Sequence, residues 1–187
     1  GRIINRATTL GLGGVEPEGF TLGSIQGVTS DGSTALTVAS TAGVPVLAYN
    51  ELLELEHSID PAIRMSGSSW MMHDLTMLRY RLVKDQDNRP LWQPSLTAGR
   101  PDLLLGYPIT VNQLLETGAA AGEKIVFFGD FKSYKVRQVG GTRSYRLTEL
   151  YRGEDQDGFV AFQEVDGGIL NPYSSATEGP IKHLQTV

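Results

Sequence analysis

Two stretches of this chain place their apolar residues at helical spacing, and much of the remainder reads as strand. Over residues 45–60, Ala48, Leu52, Leu55 and Ile59 recur at i, i+4, i+7 and i+11, one stripe of an amphipathic helix. Glu51, Glu54 and Ser58 fall on the opposite side, Pro45 suits the start, and Pro61 stops the helix after Asp60. Ser68–Met72 reads as a short buried strand leading into a second helix over Asp74–Val83. Leu75, Leu78 and Leu82 form that helix's expected inner stripe, with Arg79 and Arg81 off it and Asp74 placed where a helix start favours a carboxylate.

Strands follow: Leu103–Leu105, Tyr107–Val111, Lys124–Phe128, Ser133–Val139, Thr142–Leu147, Phe159–Val165 and Pro180–Leu184. Alternation is clearest where Tyr134 and Val136 oppose Lys135 and Arg137, predicting a half-buried strand with a basic outer face. Residues 1–34 are rich in Gly, Thr and Ser and offer only Arg2–Asn5 and Ser24–Val28 as short strands. They read as a mobile or partner-dependent lead-in. Helices early and antiparallel strands late make an α+β domain.

Composition narrows the chemistry. The 187 residues suit one domain, with or without an appendage; 40% are hydrophobic and 20% charged, as in a soluble globular protein. The absence of cysteine excludes disulfides, thiolate metal sites and cysteine nucleophiles. His57, His73 and His183 are too far apart in sequence to suggest a metal cluster. No apolar run approaches the about 20 residues that span a bilayer.

The net charge is −5, the wrong sign for tight binding to nucleic acid. Charge is uneven, however. Between Lys124 and Arg152, Lys124, Lys132, Lys135, Arg137, Arg143, Arg146 and Arg152 stand against Asp130 and Glu149 alone. A solvated strand face or an intersubunit salt-bridge surface accounts for this better than direct DNA contact.

The chain carries no recognisable catalytic motif. Gly11-Leu12-Gly13-Gly14 lacks the Lys-Ser/Thr ending of a phosphate loop, and Asp155-Gln156-Asp157-Gly158 lacks the ligand set of a calcium loop. Ser66, Ser68 and Ser69 have no identifiable histidine base. Trp70 lies in an apolar strand and is expected in the core, whereas Trp92 follows a polar turn and is expected as an interface anchor.

An ordered series of phrases carries more information. It runs Ser69-Trp70-Met71-Met72, then Lys84-Asp85-Gln86-Asp87-Asn88-Arg89-Pro90-Leu91-Trp92, then Leu103-Leu104-Leu105-Gly106-Tyr107-Pro108-Ile109, then Phe127-Phe128-Gly129-Asp130-Phe131-Lys132-Ser133-Tyr134. Arg146-Leu147-Thr148-Glu149-Leu150-Tyr151, Gly158-Phe159-Val160-Ala161-Phe162 and Val165-Asp166-Gly167 close it. In order and spacing this resembles the major capsid proteins of tailed bacteriophages, whose fold is shared with bacterial encapsulin compartments.

The resemblance implies an axial domain with a central mixed or antiparallel sheet flanked by helices, plus a partial peripheral domain of long strands. Residues 1–27 would be a glycine-rich remnant of the arm region, 28–139 with 168–187 the axial domain, and 140–167 the peripheral strands. It implies no enzyme and no cofactor or metal. Lys84, Asp85, Asp87, Asn88, Arg89 and Trp92 would line the capsomer axis, and Arg143, Arg146, Arg152, Glu164 and Asp166 a lateral interface.

The implied partners are further copies of the chain in pentamers and hexamers, with scaffold, protease and portal proteins. The shell would enclose DNA without specific binding, in a virion capsid made in the bacterial cytoplasm, with no membrane. The family's arm, extended hairpin and spine helix have no counterpart here, so a truncated subunit forming monomers or small oligomers is expected. The position aligned with the family's cross-linking asparagine falls near Phe162, so no self-crosslinking is expected. The alternatives are an encapsulin-like shell around protein cargo, or a β-rich module that holds a glycan or acidic ligand with Trp92 and the strand Lys132–Arg137.

Overall fold

The computed structural model describes residues 2–14, 16–30, 48–84, 87–90, 92, 103–118, 120, 122–147, 149, 152–170 and 178–186. Its helices are α1 (Arg2–Leu10), α2 (Phe20–Gly23), α3 (Tyr49–His57), α4 (Pro61–Arg64) and α5 (Asp74–Leu82). Its strands are β1 (Ile25–Ser30), β2 (Ser69–Met72), β3 (Leu103–Leu104), β4 (Tyr107–Val111), β5 (Lys124–Gly129), β6 (Tyr134–Leu147), β7 (Gly158–Ile169) and β8 (Ile181–Thr186).

Six strands form one sheet in the order β1-β8-β5-β2-β4-β3. The β1–β8 and β2–β4 pairs are parallel, while β5 runs antiparallel to both β8 and β2. The remaining two strands, β6 and β7, pair only with each other as a long antiparallel ribbon. The mixed sheet and the α+β class agree with the sequence pattern. The two strands expected over Ser133–Val139 and Thr142–Leu147 are instead one, interrupted in register between Val139 and Arg143.

Side-chain alternation along the central strands sends apolar groups to both faces of the sheet. On one face, Trp70 and Met72 of β2, Val126 and Phe128 of β5, and Leu184 of β8 pack under Leu52, Leu55 and Ile59 of the α3 region and under Tyr80 and Val83. The Trp70 and Phe128 rings lie 4.3 Å apart, and the Trp70 indole N–H donates to the Leu104 carbonyl at 2.9 Å. That bond satisfies the one polar atom of the largest fully buried side chain. On the other face Phe127 meets Phe20 of α2 edge-on at 5.2 Å, joined by Leu115, Phe131 and the ribbon residues Tyr134 and Ile169.

Two glycines set how closely these layers approach. A Cβ on Gly27 would lie 2.6 Å from Leu55 Cδ1, so α3 rests directly on the β1 backbone there. Gly129 ends β5 at φ 146°, and a Cβ would lie 2.1 Å from the Pro180 carbonyl oxygen.

Several expectations are corrected. Arg2–Asn5 is the start of helix α1, docked where Asn112 donates to the Thr9 hydroxyl and the Thr21 hydroxyl to the Thr9 carbonyl. Residues 16–30 are no mobile lead-in, because Phe20 is buried and β1 is a strand of the main sheet. The α3 stripe Ala48, Leu52, Leu55 and Ile59 is buried as expected. Glu51, expected outside, is only 4% exposed: its carboxylate turns back to accept from the Ala48 N–H at 3.1 Å.

In α5 the predicted inner stripe is on the wrong side. Leu75, Leu78 and Leu82 are 49%, 50% and 53% exposed, while Thr76, Tyr80 and Val83 face the core. The bulk of Tyr80 and its neighbours fills the space above β2, and tertiary packing overrides the leucine pattern. The half-buried strand at Tyr134–Arg137 is corrected too, since Val136 is 50% exposed, on a ribbon that no second layer covers among the described residues.

Lys182 and His183 of β8 are buried polar residues. Lys182 Nζ donates to the Ser58 carbonyl at 2.7 Å. His183 Nδ1 sits 3.0 Å from the Ser24 hydroxyl beneath the Phe127 ring, and burial, with the nearby Lys124 charge, lowers its pKa to about 4.

Substituting Gly27→Ala should wedge α3 off β1 and destabilise the fold by about 1–3 kcal/mol, seen as a lower denaturation midpoint. His183 must be neutral when folded but has a pKa of about 6.5 when unfolded, so the unfolded chain gains protons first. Stability should therefore fall as pH drops through 6.5 towards 4, by about 3 kcal/mol for this group. Denaturant titrations at pH 7, 5.5 and 4 should show this loss in the native chain and not in His183→Gln, whose curve would be flatter.

Candidate assembly interfaces

Between Lys84 and Pro90 an isolated antiparallel bridge closes a polar loop at the end of α5. Lys84, Asp87, Asn88 and Arg89 are exposed, and Asn88 holds φ 66°, a left-handed turn that asparagine tolerates. Asp85 lies outside the described residues. The loop's stem is fixed from within. Trp92 is 5% exposed, its indole N–H donates to the Leu103 carbonyl at 3.0 Å, and the Arg81 guanidinium lies 5.0 Å over its ring. The cation and the apolar ring attract in that geometry. Trp92 is thus a buried pillar of the loop, which corrects its expected role as an interface anchor and as a ligand platform.

The β6–β7 ribbon presents charged pairs across its strands. Arg143 meets Glu164 at 2.6 Å and Arg146 meets Asp157 at 2.5 Å, all of them well exposed. Each such pair is worth at most about 1 kcal/mol. Asp166 stands opposite Arg137 in register and its carboxylate accepts from the Gly167 N–H at 2.8 Å. Arg152 opens a short 3-10 turn over Arg152–Glu154, next to the Asp155 turn at φ 54°. The residues expected at a lateral interface thus lie on or beside one projecting ribbon, with Arg143 and Glu164 side by side. Phe162, in register with Arg143, is 58% exposed with its ring 6.2 Å from that of Tyr145.

Three features escaped the sequence reading. The Ser24–His183 pair joins residues 159 positions apart, so no local spacing could reveal it. Ser24 and His183 are 7% and 3% exposed, which closes them to any substrate. A second is the outward leucine stripe of α5. The third is a groove of about 250 Å³ walled by Leu10, Leu12, Leu22 and Leu115, with Glu116 and Lys124 at its edge. Lys124 Nζ donates to the Thr21 carbonyl at 2.6 Å, and burial lowers its pKa against the opposing pull of Glu116. A smaller hollow of about 200 Å³ lies between His57–Pro61 and Glu178–Lys182. Among the described residues no three His, Asp or Glu side chains gather as a metal site.

Comparison with solved structures returns capsids. The capsid of the empty GTA particle computed with C5 symmetry aligns at TM-score 0.74 with 24% identity, over 99% of this chain and 62% of that one. The capsid of the native GTA particle, also with C5 symmetry, aligns at TM-score 0.72 with 26% identity, over 98% and 61%. A chain of Gordonia phage Cozz aligns at TM-score 0.57 with 14% identity, over 100% and 59%. The chain therefore spans about three fifths of the length of these relatives. No curated protein matches it. The model of the phage capsid family matches residues 1–176, nearly the whole chain, and the α+β sheet has the fold of the aligned capsids. The chain belongs to the phage capsid family.

Proposed function

We propose that this chain is a structural subunit of an icosahedral shell that encloses DNA, repeating in pentamers and hexamers as part of a virion capsid. The observation that carries the reading is the family match over residues 1–176. Lys84, Asp87, Asn88 and Arg89 would face the capsomer axis, Asp87 of one copy meeting Arg89 of the next, while the ribbon bearing Arg143, Arg146, Arg152, Glu164 and Asp166 reaches sideways to neighbours. A polar loop of mixed sign suits this place because exposed ion pairs tolerate the different angles of five- and sixfold rings, as a rigid apolar plug would not. Each ring contact is heterologous, with two different faces of one subunit in use.

The net charge of −5 suits a container wall. It gives the packaged phosphate backbone little to hold. Scaffold, protease and portal proteins would be the other partners, and assembly would take place in the bacterial cytoplasm.

Because the chain spans about three fifths of the length of its relatives, native mass spectrometry over a concentration series should show mainly monomers and small oligomers, with five- and six-copy species growing in towards the highest concentration. A chain that stays monomeric there would overturn the proposal. Asp87→Arg should raise the concentration needed for rings at least about tenfold, a coupling of about 1.4 kcal/mol or more. Adding Arg89→Asp should restore it, with circular dichroism unchanged throughout.

A further inference from the structure

Among the apolar residues exposed in the described chain, two groups lie on opposite faces of the main sheet. One is the convex stripe of α5, where Leu75, Leu78 and Leu82 are each about half exposed at i, i+3 and i+7. This helix packs Tyr80 and Val83 on the Trp70 side of the sheet. The other is the concave groove, where Leu10, Leu12 and Leu22 are 39%, 78% and 50% exposed above the buried Leu115. It belongs to the Phe127 side, because α2 packs Phe20 against Phe127 there and Lys124 reaches across to the Thr21 carbonyl.

The complementarity is apolar: the groove's charged residues are engaged within their own chain, the Glu116 carboxylate accepting from the Lys124 N–H and Lys124 Nζ donating to the Thr21 carbonyl. Arg79 and Arg81, beside the stripe, hold the Thr117 carbonyl and the Trp92 ring of their own chain.

We propose that the Leu75–Leu78–Leu82 stripe seats in the Leu10–Leu12–Leu22 groove of a second copy of this chain. The inference rests on the shell-subunit reading and names the two flanks by which neighbours in one ring would meet. A contact between opposite faces is head-to-tail, so every subunit of a closed ring uses both surfaces and leaves neither in water. Its size fits that role. Three half-exposed leucines on each side amount to a few hundred Å² per partner, well below the about 800 Å² of a stable two-body interface. A single contact of this size is weak, and ring closure, which makes the last contact intramolecular, stabilises the whole.

The chain has no cysteine, so single introduced thiols report without background. Leu22→Cys and Leu78→Cys chains are mixed and treated with a short bis-maleimide, alongside each variant alone, while native mass spectrometry follows assembly. The expected result is a mixed cross-linked dimer forming at least about tenfold faster than either homodimer, corresponding to 1.4 kcal/mol of preference. Leu75→Glu added to the Leu78→Cys chain should abolish it with the fold intact, since Leu75 faces water in the lone chain. Homodimers of Leu78→Cys forming as fast as the mixed species would show two helices α5 meeting face to face and would overturn the proposal. Rings without the mixed cross-link would overturn it and leave the shell reading standing. The mixed cross-link in open chains that never reach five or six copies would uphold the contact and count against the rings. Neither rings nor cross-link would overturn both.

Discussion

The structure depends on β5 being buried on both faces at once. Ile125, Val126, Phe127 and Phe128 are all inaccessible to water, and the strand is held between β8 and β2 by antiparallel ladders on either edge. Val126 and Phe128 carry the α3 and α5 layer, and Phe127 carries Phe20 and the ribbon base. Burying one large apolar side chain is worth about 1.5–3 kcal/mol, so these four residues supply a large part of a marginal stability. Every surface assigned to assembly is an outgrowth from the layers that this strand holds together.

The ends of the same strand place the other parts. At one end Gly129 passes against Pro180 so closely that only hydrogen fits, and the chain turns through Asp130, whose carboxylate accepts from the Lys132 N–H, into β6. At the other end Lys124 reaches the Thr21 carbonyl and ties α2 to the sheet. The core, the ribbon and the groove are thus mechanically linked through a single six-residue element.

Much of this fold was legible in the sequence, because its central strands and α3 follow the spacing that their burial demands. Ala48, Leu52, Leu55 and Ile59 read as a stripe and are one. The strands at Tyr107–Val111 and around Lys124–Phe128 read equally well, since continuous apolar runs bounded by turn residues have few other uses. What misled was hydrophobicity without knowledge of what lies opposite. The leucines of α5 and Val136 of β6 look like core residues by chemistry, and only the placement of neighbouring layers shows that they face outwards. Trp92 misled in the other direction, because a tryptophan after a polar turn gives no local sign that Leu103 and Arg81 enclose it. Among the candidate contact residues, Lys84 to Arg89 could be read as an exposed turn from composition alone. The Ser24–His183 pair and the leucine groove could not, because each is made by segments that meet only in the folded chain.

The register of the ribbon has a mechanical consequence. Alternation along β7 sends Phe159 to one side and Phe162 to the other, 74% and 58% exposed, so neither side offers an apolar layer against which the strands could rest. An unsupported pair of strands is marginally stable in water. Amide protons near the ribbon tip will consequently exchange with solvent far faster than those of β5, giving one polypeptide a stiff head and a compliant tongue.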